Sequence, residues 1–160
     1  MQTNRRALVL VPILLVLLSA LAACQPGDPA ANLVGAGPLL TVESRGGECL
    51  AAPCGSTVIV DRDGTVHSAD KPPNDLGTIP AEQLAALESA IKLTDFAVLK
   101  SHPFTGECPT NFDGQEFIFE FGAPGGNQRI ATCEVEVDYG SPLFVAVATA
   151  LGPFIPLPTT

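Results

Sequence analysis

Three phenylalanines at alternate positions constrain the fold of this chain more than any other feature. Phe117, Phe119 and Phe121 lie on one face of a predicted strand, because side chains alternate along a strand. Glu116, Ile118 and Glu120 lie on the other face. A face of three rings has to be covered by other apolar groups. This segment therefore predicts a sheet with a second layer packed on one side.

Two amphipathic helices are predicted to form that second layer. Pro80 suits the first position of one helix, and Ser141 is a suitable N-cap for the other, with Pro142 just inside it. In both segments apolar residues recur at helical spacing. The side chains predicted to cover the Phe face are Leu84, Leu87, Ile91, Phe144, Val147 and Leu151.

The remaining periodic segments predict strands. In chain order these are a strand from Leu39 to Ser44, a hairpin joining residues 57–60 to 65–67 through the turn Asp61–Gly64, and the Phe strand joined by a loop at Gly122–Asn127 to a strand over residues 129–137. The prediction is an α+β fold: an antiparallel sheet of two hairpins plus a first strand, with two helices packed on one face in ββα-ββα order.

The N-terminus has the features of a secretory leader. Arg5 and Arg6 precede an apolar run from Ala7 to Leu18, and small residues lead up to Cys24. The sequence Leu-Ala-Ala-Cys at residues 21–24 resembles the bacterial lipobox. The resemblance implies cleavage before Cys24 and a diacylglycerol on its sulfur. Ordinary cleavage and an uncleaved membrane helix are the alternatives.

Four segments follow from this interpretation. They are a lipoprotein signal peptide at 1–23, a flexible Pro- and Gly-rich tether at 24–38, a single α+β domain at 39–152 and a C-terminal tail at 153–160. The expected location is the bacterial cell envelope, with the lipid anchor on the outer side of the cytoplasmic membrane or in the outer membrane.

The other four cysteines predict two disulfides. An even number of cysteines in an exported domain is typical of a disulfide framework, and four allow three connectivities. Cys49 is expected to pair with Cys54, because the loop between them is short, and Cys108 then pairs with Cys133. A site in which all four thiolates bind a metal is a weaker alternative, because Cys108 and Cys133 lie far apart in the sequence.

The charge balance excludes some partners. The chain has a net charge of −9, and removal of Arg5 and Arg6 with the leader leaves 6 basic against 17 acidic side chains, or −11. A chain so acidic is not expected to bind nucleic acid or to attach to anionic lipid through basic side chains. Membrane attachment is therefore expected through the N-terminal lipid alone.

Short matches to catalytic or metal-binding motifs are better explained as ordinary structure. Ser89 and Lys92 have the Ser-x-x-Lys spacing but lack its companion motifs. The turn at Asp61–Gly64, with Asp70, is like a calcium loop, but Ile59 would be its first ligand. His67 and His102 have no metal-ligand spacing. We therefore expect no catalytic residue, no metal site and no cofactor.

Four segments of the domain carry a resemblance to known proteins: Glu43–Gly47, Pro80–Phe96, Asp113–Phe117 and Ser141–Leu151. They resemble a group of small exported bacterial proteins that includes the emfourin-type inhibitors of thermolysin-like metalloproteases. All four are scaffold segments, so the resemblance implies an architecture and no particular functional residue. It implies inhibition only if an exposed loop can enter a protease cleft, and the candidates are Gly46–Gly55 and Gly122–Asn127.

Three hypotheses for function follow. The first is a lipid-anchored, non-catalytic envelope domain that binds a protein or peptide. The second is an inhibitor of a secreted metalloprotease, and the third is an enzyme with a dispersed site. The absence of a recognisable catalytic motif favours the first.

Overall fold

Six antiparallel strands form one sheet in a computed structural model of the chain, which describes residues 37–47 and 54–158. The strands are β1 (Leu40–Gly46), β2 (Gly55–Val60), β3 (Thr65–Ser68), β4 (Asp75–Thr78), β5 (Gln115–Ala123) and β6 (Gly126–Ala131). Their order across the sheet is β4-β3-β2-β1-β5-β6. The described helices are α1 (Ala81–Leu93), α2 (Phe96–Lys100), α3 (Pro142–Leu151) and a 3₁₀ turn at Pro109–Phe112. The predicted α+β class is confirmed.

The Phe strand is β5, which lies between β1 and the edge strand β6. It pairs with β1 so that Val42 lies opposite Phe119 and Leu40 lies opposite Phe121. Because opposite residues share a face, all four side chains point into the same core, where each is 1% exposed or less. The rings of Phe119 and Phe121 stack with centroids 6.0 Å apart.

The helices cover this face as predicted. Phe144 of α3 meets Phe119 edge to face, with ring centroids 5.2 Å apart. Leu87 and Ile91 of α1 and Leu151 of α3 are buried in the same apolar cluster. The three- and four-residue spacing of the apolar side chains places them on the inner face of each helix.

The turn between β2 and β3 is also confirmed. Gly64 has a φ of +88°, a left-handed conformation that glycine adopts without steric cost. The Asp63 carboxylate accepts the Thr65 backbone N–H at 2.9 Å. That hydrogen bond lowers the pKa of Asp63.

The sheet has one more strand than predicted. No strand is predicted from the sequence between the hairpin at 57–67 and α1, but Asp75–Thr78 pair with β3 as the edge strand β4. The sequence Asp-Leu-Gly-Thr has little strand propensity. It pairs with β3 through backbone hydrogen bonds. These bonds do not depend on the type of side chain, so the sequence pattern does not reveal this strand.

The prediction for the last strand was wrong beyond Ala131. Alternation of apolar residues continues to Val137, but β6 ends at Ala131 and residues 132–134 form a turn. The Thr132 hydroxyl and backbone N–H both bond to Phe117 of β5, and Val135 then bridges to Pro103 instead. The chain therefore leaves the sheet and pairs with the segment that follows α2.

Two further segments are decided by the structure. The apolar cluster of Phe96, Val98 and Leu99 is compatible by sequence with a short helix or the start of a strand, and it forms the short helix α2, capped by the Asp95 carboxylate. The predicted tail at 153–160 packs against the core as far as Leu157, and Ile155 is 2% exposed. The domain therefore continues past the end of α3, because apolar side chains in this segment are buried against the core.

The Cys108–Cys133 disulfide is present, with Cα atoms 5.1 Å apart. It joins the loop before the 3₁₀ turn to the turn after β6. This bond rules out the two connectivities that would pair either of these cysteines with Cys49 or Cys54. Cys54 is also disulfide-bonded, but Cys49 lies outside the described residues, so the Cys49–Cys54 bond stays a prediction.

Candidate binding groove

A groove runs between α1 and α3 on the side that faces away from the sheet. The two helices pack against each other, and each buries one stripe of side chains in the core. The groove has a volume of about 760 Å³ and is lined by Glu82, Gln83, Ala86, Ser89, Ala90 and Leu93 of α1 and by Pro142, Val145, Ala146 and Thr149 of α3.

The lining is mainly apolar although it faces water. Leu93 is 81% exposed and Val145 is 48% exposed. Between them, Ala86, Ala90 and Ala146 supply small side chains that leave the groove open. A concave, mainly apolar cleft with a few polar side chains at its edge is the usual form of a binding site.

The groove has a weak negative bias. Glu82 is the one charged side chain among the described residues that line it. Glu88 and Lys92 lie on a different side of α1, next to Arg62 and Gly122. The net charge of the chain, −9, adds a long-range attraction for cationic partners.

One wall of this groove, from α1, is predictable from the sequence. Residues 82, 86, 89 and 93 recur at four, three and four positions, which places them along one side of a helix. Glu82, Gln83, Glu88 and Lys92 lie outside the buried stripe of α1, so the sequence predicts a solvent-exposed outer face, from which Leu93 departs. An apolar residue at the exposed end of this face was the available signal. The second wall, from α3, follows only from the packing of the two helices.

The Ser-x-x-Lys residues do not form a catalytic pair in the described structure. Ser89 lines the groove, whereas Lys92 is exposed on another side of α1. Both are on a solvated helix, as the sequence indicated.

The other candidate residues lie in separate places. His67 Nε2 is 3.2 Å from an Asp61 carboxylate oxygen, and its Nδ1 is 3.0 Å from the Ser68 carbonyl oxygen. The Asp70 carboxylate accepts a hydrogen bond from the Asn74 side chain. His102 contacts the Val98 carbonyl oxygen of α2. Within the described ranges, no three His, Cys, Asp or Glu side chains are placed to hold a metal ion.

Of the two candidate inhibitory loops, the structure describes one completely and the other only in part. Gly122–Asn127 is not an extended loop, because β5 continues to Ala123 and β6 begins at Gly126, which leaves a two-residue connection. Gly122 is also held in place: its N–H donates to the Leu39 carbonyl at 2.8 Å, and its carbonyl accepts from Arg62 at 3.0 Å. Most of Gly46–Gly55 lies outside the described residues.

The predicted lipid anchor cannot be placed, because Cys24 and the rest of the predicted leader lie outside residues 37–47 and 54–158. Among the described helices, none has the length and hydrophobicity to cross a membrane.

Comparison of the chain with protein-family models, with curated proteins and with solved structures gave no match.

Proposed function

We propose that this chain is a lipid-anchored, non-catalytic domain of the bacterial envelope that binds a protein or peptide in the groove between α1 and α3. The exposed apolar lining of the groove carries the proposal. Leaving Leu93 and Val145 in water forgoes the stabilisation that covering them would give, roughly 25 cal/mol per Å² of apolar surface.

The partner that best fits the groove is an amphipathic helix with basic residues beside its apolar stripe. Helix-in-groove recognition uses apolar side chains at helical spacing, which match a groove lined by two helices. Glu82 on the lining and the net charge of −9 favour lysine or arginine flanking the stripe. Charge complementarity of this kind mainly raises the association rate and the specificity.

A carboxylate introduced into the apolar lining of the groove should weaken this binding. We expect Val145→Glu and Leu93→Glu each to weaken binding of a synthetic amphipathic Lys/Leu helix by at least roughly tenfold, because a carboxylate then has to be desolvated under the apolar stripe. Fluorescence anisotropy with the labelled peptide measures the change. Both side chains are exposed, so the fold is expected to be retained.

Val98→Glu is the matched control for these variants. Val98 is an exposed apolar residue on α2, 56% exposed, and it does not line the groove. It should bind the peptide like the native protein. Equal binding of a Glu/Leu version of the peptide, or no binding of either, would contradict the proposed partner.

Lipid attachment has its own test. We expect Cys24→Ala to lose labelling by a radioactive fatty acid in cells and to accumulate as the precursor, because the thiol that accepts the diacylglycerol is gone. Cys54→Ala should keep the label. Labelling that persists in Cys24→Ala would exclude Cys24 as the anchor.

A further inference from the structure

A smaller pocket, separate from the groove, lies where β5 meets the segment after β6. Its volume is about 230 Å³, below the usual range for drug-sized ligands, so it suits a single small group. Six of the side chains that line it are Phe104, Phe117, Tyr139, Glu136, Pro109 and Pro158. We call it the aromatic pocket.

The core fixes two of the three rings. Phe117 is 5% exposed and stacks on Phe119, with centroids 6.4 Å apart. Tyr139 meets Phe144 edge to face at 5.8 Å and is half-buried. These two side chains therefore form rigid walls of the aromatic pocket.

Backbone pairing positions the main chain that carries the third ring and the carboxylate. The Phe104 N–H donates to the Glu134 carbonyl at 3.0 Å, and the Glu136 N–H donates to the His102 carbonyl at 2.8 Å. The disulfide from Cys108 to Cys133 ties the neighbouring loops together. The pocket is thus largely preformed, which lowers the entropic cost of binding.

We propose that the aromatic pocket binds an organic ammonium ion, with a quaternary trimethylammonium group as the best fit. The faces of aromatic rings attract cations, and rings around a small cavity suit a rounded, weakly hydrated one. Glu136 is the one charged side chain among the described residues that line the pocket. It adds direct charge pairing and disfavours anions.

The charge requirement is tested with a neutral isostere. In a titration followed by ¹H–¹⁵N spectra, we expect choline to shift the amide signals of residues 115–117 and 132–139, and 3,3-dimethyl-1-butanol, which has the same shape without charge, to bind at least roughly tenfold more weakly. Equal binding of the two, or shifts that map to α1 and α3, would overturn the proposal.

Substitutions at the pocket test whether choline binding requires an aromatic ring and a carboxylate. Tyr139→Leu and Glu136→Gln should each weaken choline binding several-fold, whereas Tyr139→Phe keeps a ring and should bind like the native protein. Glu134→Gln removes a charge two residues from Glu136 on a side chain that does not line the pocket. It is expected to have little effect, and a loss as large as that of Glu136→Gln would show a general charge effect and refute the pocket assignment.

The trimethylammonium group can come from a free solute or from a lipid head group. Co-sedimentation with phosphatidylcholine vesicles, with phosphatidylglycerol vesicles as control, distinguishes the two when it uses protein that lacks the leader. Choline binding without sedimentation assigns the pocket to a free cation, and selective sedimentation with phosphatidylcholine assigns it to lipid. Failure of both would reject the pocket and leave the helix groove untouched.

Discussion

Replacing Phe119 with alanine is expected to lower the free energy of unfolding by about 3 to 5 kcal/mol, the usual cost of removing a buried ring. Phe119 is 1% exposed and lies between Phe117 and Phe121, with Phe144 covering it from α3. The cavity would lie at the centre of the contact between sheet and helices. Urea unfolding at equilibrium gives the measurement.

Glu120→Ala is the control on the same strand. Glu120 is exposed on the opposite face of the sheet, so its removal should change the free energy of unfolding by less than about 0.5 kcal/mol. A strand shifted by one residue would exchange the two faces and reverse this pattern. A Phe119→Ala protein as stable as the native one would mean that the rings are not the core.

Removing the Cys108–Cys133 disulfide is expected to cost about 2 to 4 kcal/mol. The bond closes a loop with a sequence separation of 25, and the stabilisation from constraining the unfolded chain grows with loop length. The double variant Cys108→Ser/Cys133→Ser, measured by thermal or urea unfolding under oxidising conditions, tests this.

Reducing agent provides the internal control for the disulfide. Under reduction the native sequence and the double variant should be about equally stable, because both then lack this bond and every other disulfide. Peptide mapping without reduction should recover Cys108 linked to Cys133. Free thiols at both positions in the oxidised protein would contradict the assignment.

Periodic segments were predictable from the sequence because their pattern reports directly on burial. The alternation at Phe117, Phe119 and Phe121 identified both the strand β5 and the face that α1 and α3 cover. The three- and four-residue spacing through Leu87 and Ile91 did the same for α1. Pairing of Cys108 with Cys133 followed from the count of cysteines and from loop lengths.

Segments that pair through backbone hydrogen bonds could not be predicted from side-chain periodicity. β4 has little strand propensity and pairs with β3 through its main chain. The alternation up to Val137 suggested a long last strand, but hydrogen bonds from Thr132 to Phe117 end it at Ala131. Helix α2 has five residues, too few for a clear helical period.

The sequence by itself determined the α+β class, the buried face of the sheet and the inner stripes of α1 and α3, because side-chain periodicity follows from which residues avoid water. Only the tertiary structure decided the two candidate sites. The groove requires α1 and α3 to lie side by side, although more than 45 residues separate Leu93 from Pro142 in the sequence. The aromatic pocket joins Phe104, Phe117 and Tyr139 from three segments, and no local pattern encodes a surface that forms when distant segments pack.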